Sequence, residues 1–328
     1  MQNKPICYVP DRNIPEIYSG VPGFLGLPVI KSEQDLQDAD IVFMGVPFEN
    51  VCTWGKYSNV ELGTKVIRDA SVRYGGYLPD YDLDVFDYFS GADFGDCAVK
   101  MGDYDFTTEQ MLKMYQQILD KDKFPVVFGG DHSISYPLIR QFAKKHNGKI
   151  GIIHFDAHMD NMNIHGQDKY TRCSPFARLY EEEIINPKNM VHFGIRGPRS
   201  NPAGLKAAKM AGATTITVMQ IVSEGLMESA KKAIEIAGKD VEAIYVSVCS
   251  DIVDVANNPA GPPDHCGLSS RELAIILHEC GKAGAKAFDF VELYPTRDTN
   301  NVSGHLACWM IIYFLAGVVK HNFNSEVQ

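Results

Sequence analysis

Short apolar runs alternate with amphipathic stretches along most of the chain. IVFMGVP (41–47), DCAVKM (96–101), PVVFGG (125–130) and IGIIHFD (150–156) predict strands. MVHFGIR (190–196), TTITV (214–218), AIYVSVCSD (243–251) and AFDFVEL (287–293) continue the series. Several of these runs are apolar throughout rather than alternating, as parallel strands covered on both faces are. Helical spacing predicts helices over 107–121, 136–146, 203–211, 220–237 and 269–283, the first opened by Thr107-Thr108-Glu109 and the last by Ser269 and Glu272 in capping-box spacing. Such alternation implies right-handed crossovers and an α/β fold with helices on both faces of a parallel sheet. No repeat or long linker interrupts it, so one domain over 36–328 is expected behind a loosely ordered arm, residues 1–35. The apolar stretch 306–319 falls short of the ~20 residues a bilayer span requires, and predicts a buried C-terminal helix.

Composition narrows the class. Hydrophobic residues make up 45% and charged residues 22%, the balance of a soluble globular protein. The net charge of −10, with no basic run, argues against nucleic acid or an anionic membrane as partner and favours a cationic small molecule. Eight scattered cysteines without a CxxC pair, and an N-terminus lacking the basic-then-apolar order of a signal peptide, suggest free thiols and a cytoplasmic location. No GxGxxG follows a strand, and neither a GxxxxGK[ST] loop nor a GxSxG elbow occurs.

The candidate chemistry lies at strand ends, where ligands of open α/β sheets bind. His132 follows two glycines after PVVFGG. The run His154-Phe155-Asp156-Ala157-His158-Met159-Asp160 places Asp156, His158 and Asp160 on one face if the extended conformation persists. Two carboxylates and an imidazole fed by an apolar strand repel one another unless a cation sits between them, which points to metal. Cys249 and Asp251 share a face by the same period of two, and Glu292 ends the last strand. A carboxylate set back from a metal suits a guanidinium or amidinium ligand; an ion pair with an arginine such as Arg297 is the structural alternative.

These residues carry a resemblance. GGDHS (129–133) and FDAHMD (155–160) match the first two motifs of the ureohydrolases, the arginase and agmatinase family, and Ser247-Val248-Cys249-Ser250-Asp251 with Asp254 is similar to the third, S-x-D-x-D-x-x-D. Phe290-Val291-Glu292-Leu293-Tyr294-Pro295 resembles V-E-x-x-P, and GTKVIR (63–68) and DFGD (93–96) are further echoes. The resemblance covers nearly the whole chain and is nearer to agmatinases and guanidino-acid hydrolases than to arginases. It implies a three-layer α/β/α sandwich around a mostly parallel eight-stranded sheet, two manganese ions and a homotrimer or homohexamer. His132, Asp156 and Asp160 would serve one ion and Asp156, His158 and Asp251 the other, with Cys249 at the bridging position. It also implies hydrolysis of a guanidino or amidino compound, with Glu292 binding the cationic group and Asp160 handling a proton.

Two departures qualify the match. Cys249 stands where the family has an aspartate, and a thiolate is softer than carboxylate oxygen; Ni2+, Zn2+, Fe2+ or a single-metal site then compete with paired Mn2+. After Asp160 the family places a histidine in an H-G-T-x-F-like segment. Here Arg172-Cys173-Ser174-Pro175-Phe176 stands in its place, closer to the S-G-T-P-F pattern of formiminoglutamases, and His165 is the nearest histidine. Arg172 is a candidate for a substrate carboxylate and His165 for proton transfer. A non-catalytic fold kept for ligand binding or regulation, and a single-metal C–N hydrolase of another substrate class, are the competing functions.

Overall fold

The computed structural model describes residue 5 and residues 23–50 and 58–323. Eight strands form one sheet: β1 (Ile41–Val46), β2 (Gly91–Asp96), β3 (Phe124–Gly129), β4 (Ile150–Phe155), β5 (Met190–Ile195), β6 (Thr214–Thr217), β7 (Ala243–Cys249) and β8 (Ala285–Val291). Their order is β2-β1-β3-β8-β7-β4-β5-β6, and each neighbouring pair is parallel. β1, β4, β5 and β7 are buried at every residue, which explains their unbroken apolar runs.

The principal helices are α1 (Gly63–Ser71), α2 (Tyr104–Asp120), α3 (Ser135–Lys145), α4 (Pro175–Glu181), α5 (Pro202–Ala211), α6 (Val218–Glu224), α7 (Leu226–Ala237), α8 (Ser270–Lys282) and α9 (Val302–Asn322). α1, α7, α8 and α9 cover one face of the sheet, while α2, α3 and α4 cover the other, giving the three layers expected. α8 opens on the predicted capping box: Ser269 Oγ accepts the Glu272 N–H, and the Glu272 carboxylate accepts the Ser269 N–H.

Local chemistry moved several boundaries. The strand expected over 96–101 ends at Asp96, because its paired segment is Gly91–Asp96, whose carboxylates hide a buried strand from a hydrophobicity pattern. The helix expected from 107 starts at Tyr104, since Asp103 accepts the Phe106 N–H and caps it. The segment 220–237 divides at Gly225 into α6 and α7. α9 is longer than the apolar stretch 306–319, and its 21 residues meet the length and hydropathy of a membrane span. Yet 83% of its most apolar window is buried in the protein, against α8 and α1. Two glycines permit that packing: a Cβ on Gly317 would lie 2.0 Å from the His278 carbonyl oxygen, and one on Gly281 would lie 2.3 Å from that of Phe314.

Most of the expected N-terminal arm lies outside the described residues. Within them Phe24, Leu25 and Leu27 are buried, with the Phe24 ring 4.5 Å from that of Phe43, so this part belongs to the core. The echoes GTKVIR and DFGD meet close by. Arg68 of α1 donates from Nε and Nη2 to the two oxygens of buried Asp93 at 2.7 and 2.9 Å, and its Nη1 engages Asp96. Asp93 in turn accepts the Phe24 N–H at 2.6 Å, tying the segment around Phe24 to the sheet. Arg68→Ala leaves Asp93 charged and buried with no counter-ion, so a loss of ~3–5 kcal/mol in stability is expected. Urea unfolding of wild type and variant measures it, and a loss under ~1 kcal/mol would mean that the pair contributes little.

Candidate metal centre

Four adjacent central strands, β3, β8, β7 and β4, deliver the candidate residues at their carboxyl ends. At the end of β3 the chain passes so close to β1 that Gly130 has no room for a side chain: a Cβ there would lie 2.2 Å from the Phe48 carbonyl oxygen. Gly130 and Asp131 donate their N–H groups to Val46 and Phe48, which fixes the turn that places His132. The extended conformation does not persist after Asp156, as β4 stops at Phe155 and Asp160 has φ +43°. Nor does β7 continue past Cys249, since Ser250–Ile252 form a 3-10 turn. The acidic and imidazole groups therefore converge through tight turns instead of the two-residue period of a strand.

Hydrogen bonding aims each group. Ser247 Oγ donates to Asp289 at 2.7 Å, so it can only accept from His132 Nε2 at 3.0 Å, and His132 Nδ1 faces the site. His132 Nδ1 lies 3.2 Å from Asp156 Oδ2 and 2.9 Å from Asp160 Oδ2. His158 Nδ1 lies 3.3 Å from Asp156 Oδ1 and 3.0 Å from Asp251 Oδ2, while Asp251 Oδ1 accepts the Ala157 N–H. Two clusters result, each with donor atoms within 4.8 Å of one another: His132, His154, Asp156 and Asp160; and Asp156, His158 and Asp251. They share Asp156, one of whose oxygens faces each cluster.

The donor atoms point at common centres rather than at each other. His132 Nδ1 and Asp251 Oδ2 are fully buried and make no well-directed hydrogen bond despite these short distances. Such orphaned atoms are costly unless a cation receives them, and a nitrogen and oxygen set suits Mn2+, Fe2+, Ni2+ or Zn2+. Without a cation, protons fill the role. Burial opposes charge on His132, but its contacts with Asp156 and Asp160 prevail and raise its pKa well above the ordinary histidine value. His158 is raised likewise against its burial, chiefly by the charge of Asp251. Asp160 is pushed up to about 7 by burial and by the neighbouring charge of Asp156.

Behind Asp156 runs a directional chain. Asp156 Oδ2 accepts from His154 Nε2 at 3.0 Å, leaving His154 Nδ1 without a proton. His192 Nδ1 must then donate to it at 2.8 Å, and Tyr180 Oη to His192 Nε2 at 2.5 Å. Burial lowers the pKa of His154 to about 4 and that of His192 well below its usual value, so both rings are neutral, as this single direction requires.

His158, Asp160, His165, Arg172, Cys173, Cys249, Asp251, Glu292 and Tyr294 border one cavity of ≈ 310 Å³. The Cys249 thiol belongs to neither cluster. Its side chain ends one bond short of an aspartate's oxygens, and burial beside four carboxylates pushes its pKa well above that of a free thiol. His165 is half-buried, at the cavity wall. Arg172 does not offer itself to a substrate carboxylate: it is buried, with Nη2 on Glu49 at 2.8 Å and Nη1 on Glu292 at 2.9 Å. That pair answers for Glu292 in place of the alternative with Arg297. Sequence reasoning missed His154, His192, Tyr180, Glu49 and Tyr294. His154 stood just before the matched FDAHMD and read as a strand residue, and Tyr294 lay inside the matched stretch 290–295 without a role. His192, Tyr180 and Glu49 stand on elements far apart in the chain.

The arginase family model matches residues 39–317. An agmatinase from Bacillus subtilis is 30% identical over 305 residues, covering 90% of this chain and 98% of that protein. Proclavaminate amidinohydrolase from Streptomyces clavuligerus is 28% identical over 90% of this chain and 93% of its own; its structure superposes with a TM-score of 0.83, covering 93% and 99%. A formiminoglutamase from Trypanosoma cruzi solved with Mn2+ shares the fold at 22% identity, with a TM-score of 0.80 over 91% of this chain and 99% of that one. The chain belongs to the arginase family.

Because raised histidine pKa values keep protons at the centre, a metal must displace them. Its affinity should fall as pH drops and the imidazoles hold their protons more fully, and should rise from about pH 6 to about pH 9 with protons released on binding. His158→Ala should lower metal content sharply while leaving circular dichroism nearly unchanged. Calorimetric manganese titrations across that pH range check both; affinity independent of pH, or undiminished in the variant, would refute this centre.

Proposed function

We propose that this chain is a metal-dependent hydrolase that cleaves the C–N bond of a small linear amidine, a guanidino or formimino compound, releasing an amine. The sharing of Asp156 between two convergent donor clusters is the observation that carries it, because it sets two cation positions side by side at the floor of a cavity. Divalent ions bound there, manganese by resemblance, supply Lewis acidity that makes water nucleophilic near neutral pH. His132, Asp156, Asp160, His158 and Asp251 are the proposed ligands.

The chain's own groups supply the rest. Asp160 borders the cavity, where it is placed to pass a proton from the attacking water to the departing nitrogen. Water adds to the amidine carbon, the bond to the amine nitrogen breaks, and that nitrogen takes the proton. Urea remains from a guanidine and formamide from a formamidine. The cavity wall also brings His165, Arg199, Ser200 and Asn201, which provide polar partners for the rest of the substrate. For assembly we retain a homotrimer or homohexamer, supported by exposed Leu205, Met210, Met219, Val222 and Met227 on α5, α6 and the start of α7, beside the edge strand β6.

Cys249 favours the competing, non-catalytic function, since each cluster forgoes an oxygen ligand there. Cys249→Asp should therefore raise manganese occupancy towards two ions per chain after identical loading, and increase turnover. Metal analysis and amine release from a panel of linear amidines decide the matter. Hydrolysis of none of them by either protein, with both ions bound, would favour the non-catalytic function.

A further inference from the structure

The resemblance assigns Glu292 to the guanidinium of a substrate, yet in the folded chain that carboxylate is already taken. Oε1 accepts the His132 N–H at 2.7 Å; Oε2 accepts from Arg172 Nη1 at 2.9 Å and from Tyr294 Oη at 2.5 Å. Glu292 holds this aim with φ +65°, a conformation that a side chain adopts only when its surroundings fix it. The arginine is anchored at several points. Its Nη1 also reaches Tyr294 Oη at 3.0 Å, and Nη2 meets Glu49 at 2.8 Å and Asp131 at 3.5 Å. Its guanidinium lies over the Tyr294 ring, 5.8 Å from the centroid. Only 4% of its side chain is exposed, so water screens the pair little.

A guanidino substrate would bring the same planar, all-donor cation to an oxygen that a guanidinium of the chain occupies. Binding there would require Arg172 to leave three carboxylates, or two like charges to crowd one acceptor. A formimino group is a cation too, but it carries C–H in place of one amino corner of the guanidine. With that corner towards Glu292 it needs no acceptor there, and Arg172 can stay in place.

We propose that Arg172 is a specificity-determining residue: it fills the guanidinium position on Glu292 and turns the site towards formimino compounds and away from guanidino compounds. This rests on the hydrolase function above and narrows its substrate class. The tyrosines beside it hold the arm that carries it, with the Tyr170 ring stacked on Tyr104 at 5.0 Å and on Tyr136 at 6.1 Å. Arg172 is thus a fixed part of the wall.

The test uses manganese-loaded wild type and Arg172→Ala with two substrates made from one short aliphatic amino acid, its N-formimino and its guanidino derivative, and measures release of the common amine. Wild type should favour the formimino derivative in kcat/KM by at least about tenfold, and the variant should shift that ratio towards the guanidine by roughly ten- to a hundredfold, the scale of a lost charged hydrogen bond. A wild type that prefers the guanidine, or a ratio unmoved in a folded variant, overturns the proposal. A second measurement needs no turnover: calorimetric titration with guanidinium chloride at millimolar concentration. Arg172→Ala should bind the ion and the wild type should not; binding by wild type, or by neither, counts against Arg172 as occupant. If the variant does not fold, the substrate ratio and the guanidinium titration of the wild type still decide. Hydrolysis of neither substrate, with guanidinium bound by the variant alone, would sink the hydrolase function and leave the occupancy standing.

Discussion

Buried negative charge at the carboxyl ends of four neighbouring strands is the constraint on which the rest of this structure depends. Asp131, Asp156, Asp251, Asp289 and Glu292 are buried, and Asp160 is nearly so. Isolated carboxylates in such surroundings would take up protons or unfold the sheet. Each therefore has a cationic or donor partner, and the partners divide the site. On the Glu292 side the compensation is permanent: Arg172, Tyr294 and a backbone N–H. On the Asp156 side it consists of imidazoles, whose protons a metal can displace because the neutral ring nitrogen is itself a ligand.

That division explains why the surrounding layers are so firmly specified. Asp289 acts three groups away, through Ser247, by choosing the nitrogen that His132 presents. Tyr180 acts at a similar remove through two neutral imidazoles on Asp156. In both chains a hydroxyl or carboxylate outside the centre decides a tautomer inside it, the way outer partners orient metal ligands generally. Such positions tolerate little movement, in keeping with the fully buried β4 and β7 on which the inner residues stand.

Much of this was legible in the chain. Seven of the eight strands left a mark as apolar runs, while the run assigned to the eighth, 96–101, meets β2 only at Asp96. GGDHS and FDAHMD located the centre because buried acids after apolar strands have few explanations other than a cation. Three things were illegible. The two-residue period foresaw convergence of Asp156, His158 and Asp160 for the wrong reason, since turns with a left-handed residue at Asp160 do the work that an extended strand was expected to do. Register placed Cys249 at the bridge without showing that its thiol falls outside both clusters, which is a matter of side-chain reach. And the Arg172–Glu292 pair joins positions 120 residues apart, so no local pattern could announce it.

Cys249 and Arg172 gain meaning together. Each departs from what the family motif leads one to expect, and both border one cavity: an oxygen ligand is absent at Cys249, and the carboxylate of Glu292 is occupied by Arg172. A chain released from catalysis would be expected to lose its buried charges first, because unpaired ones destabilise and replacing whole pairs by apolar residues is often neutral or stabilising. Here the opposite holds. The acids are retained, and Arg172 adds a cation with four polar partners, within cation–π range of an aromatic face. A Glu292 carboxylate so fully partnered, close to orphaned donor atoms around Asp156, fits a site with a changed substrate requirement better than a decayed one. The acceptor at Glu292 is filled by the chain itself, while the donor atoms around Asp156 are left for an ion.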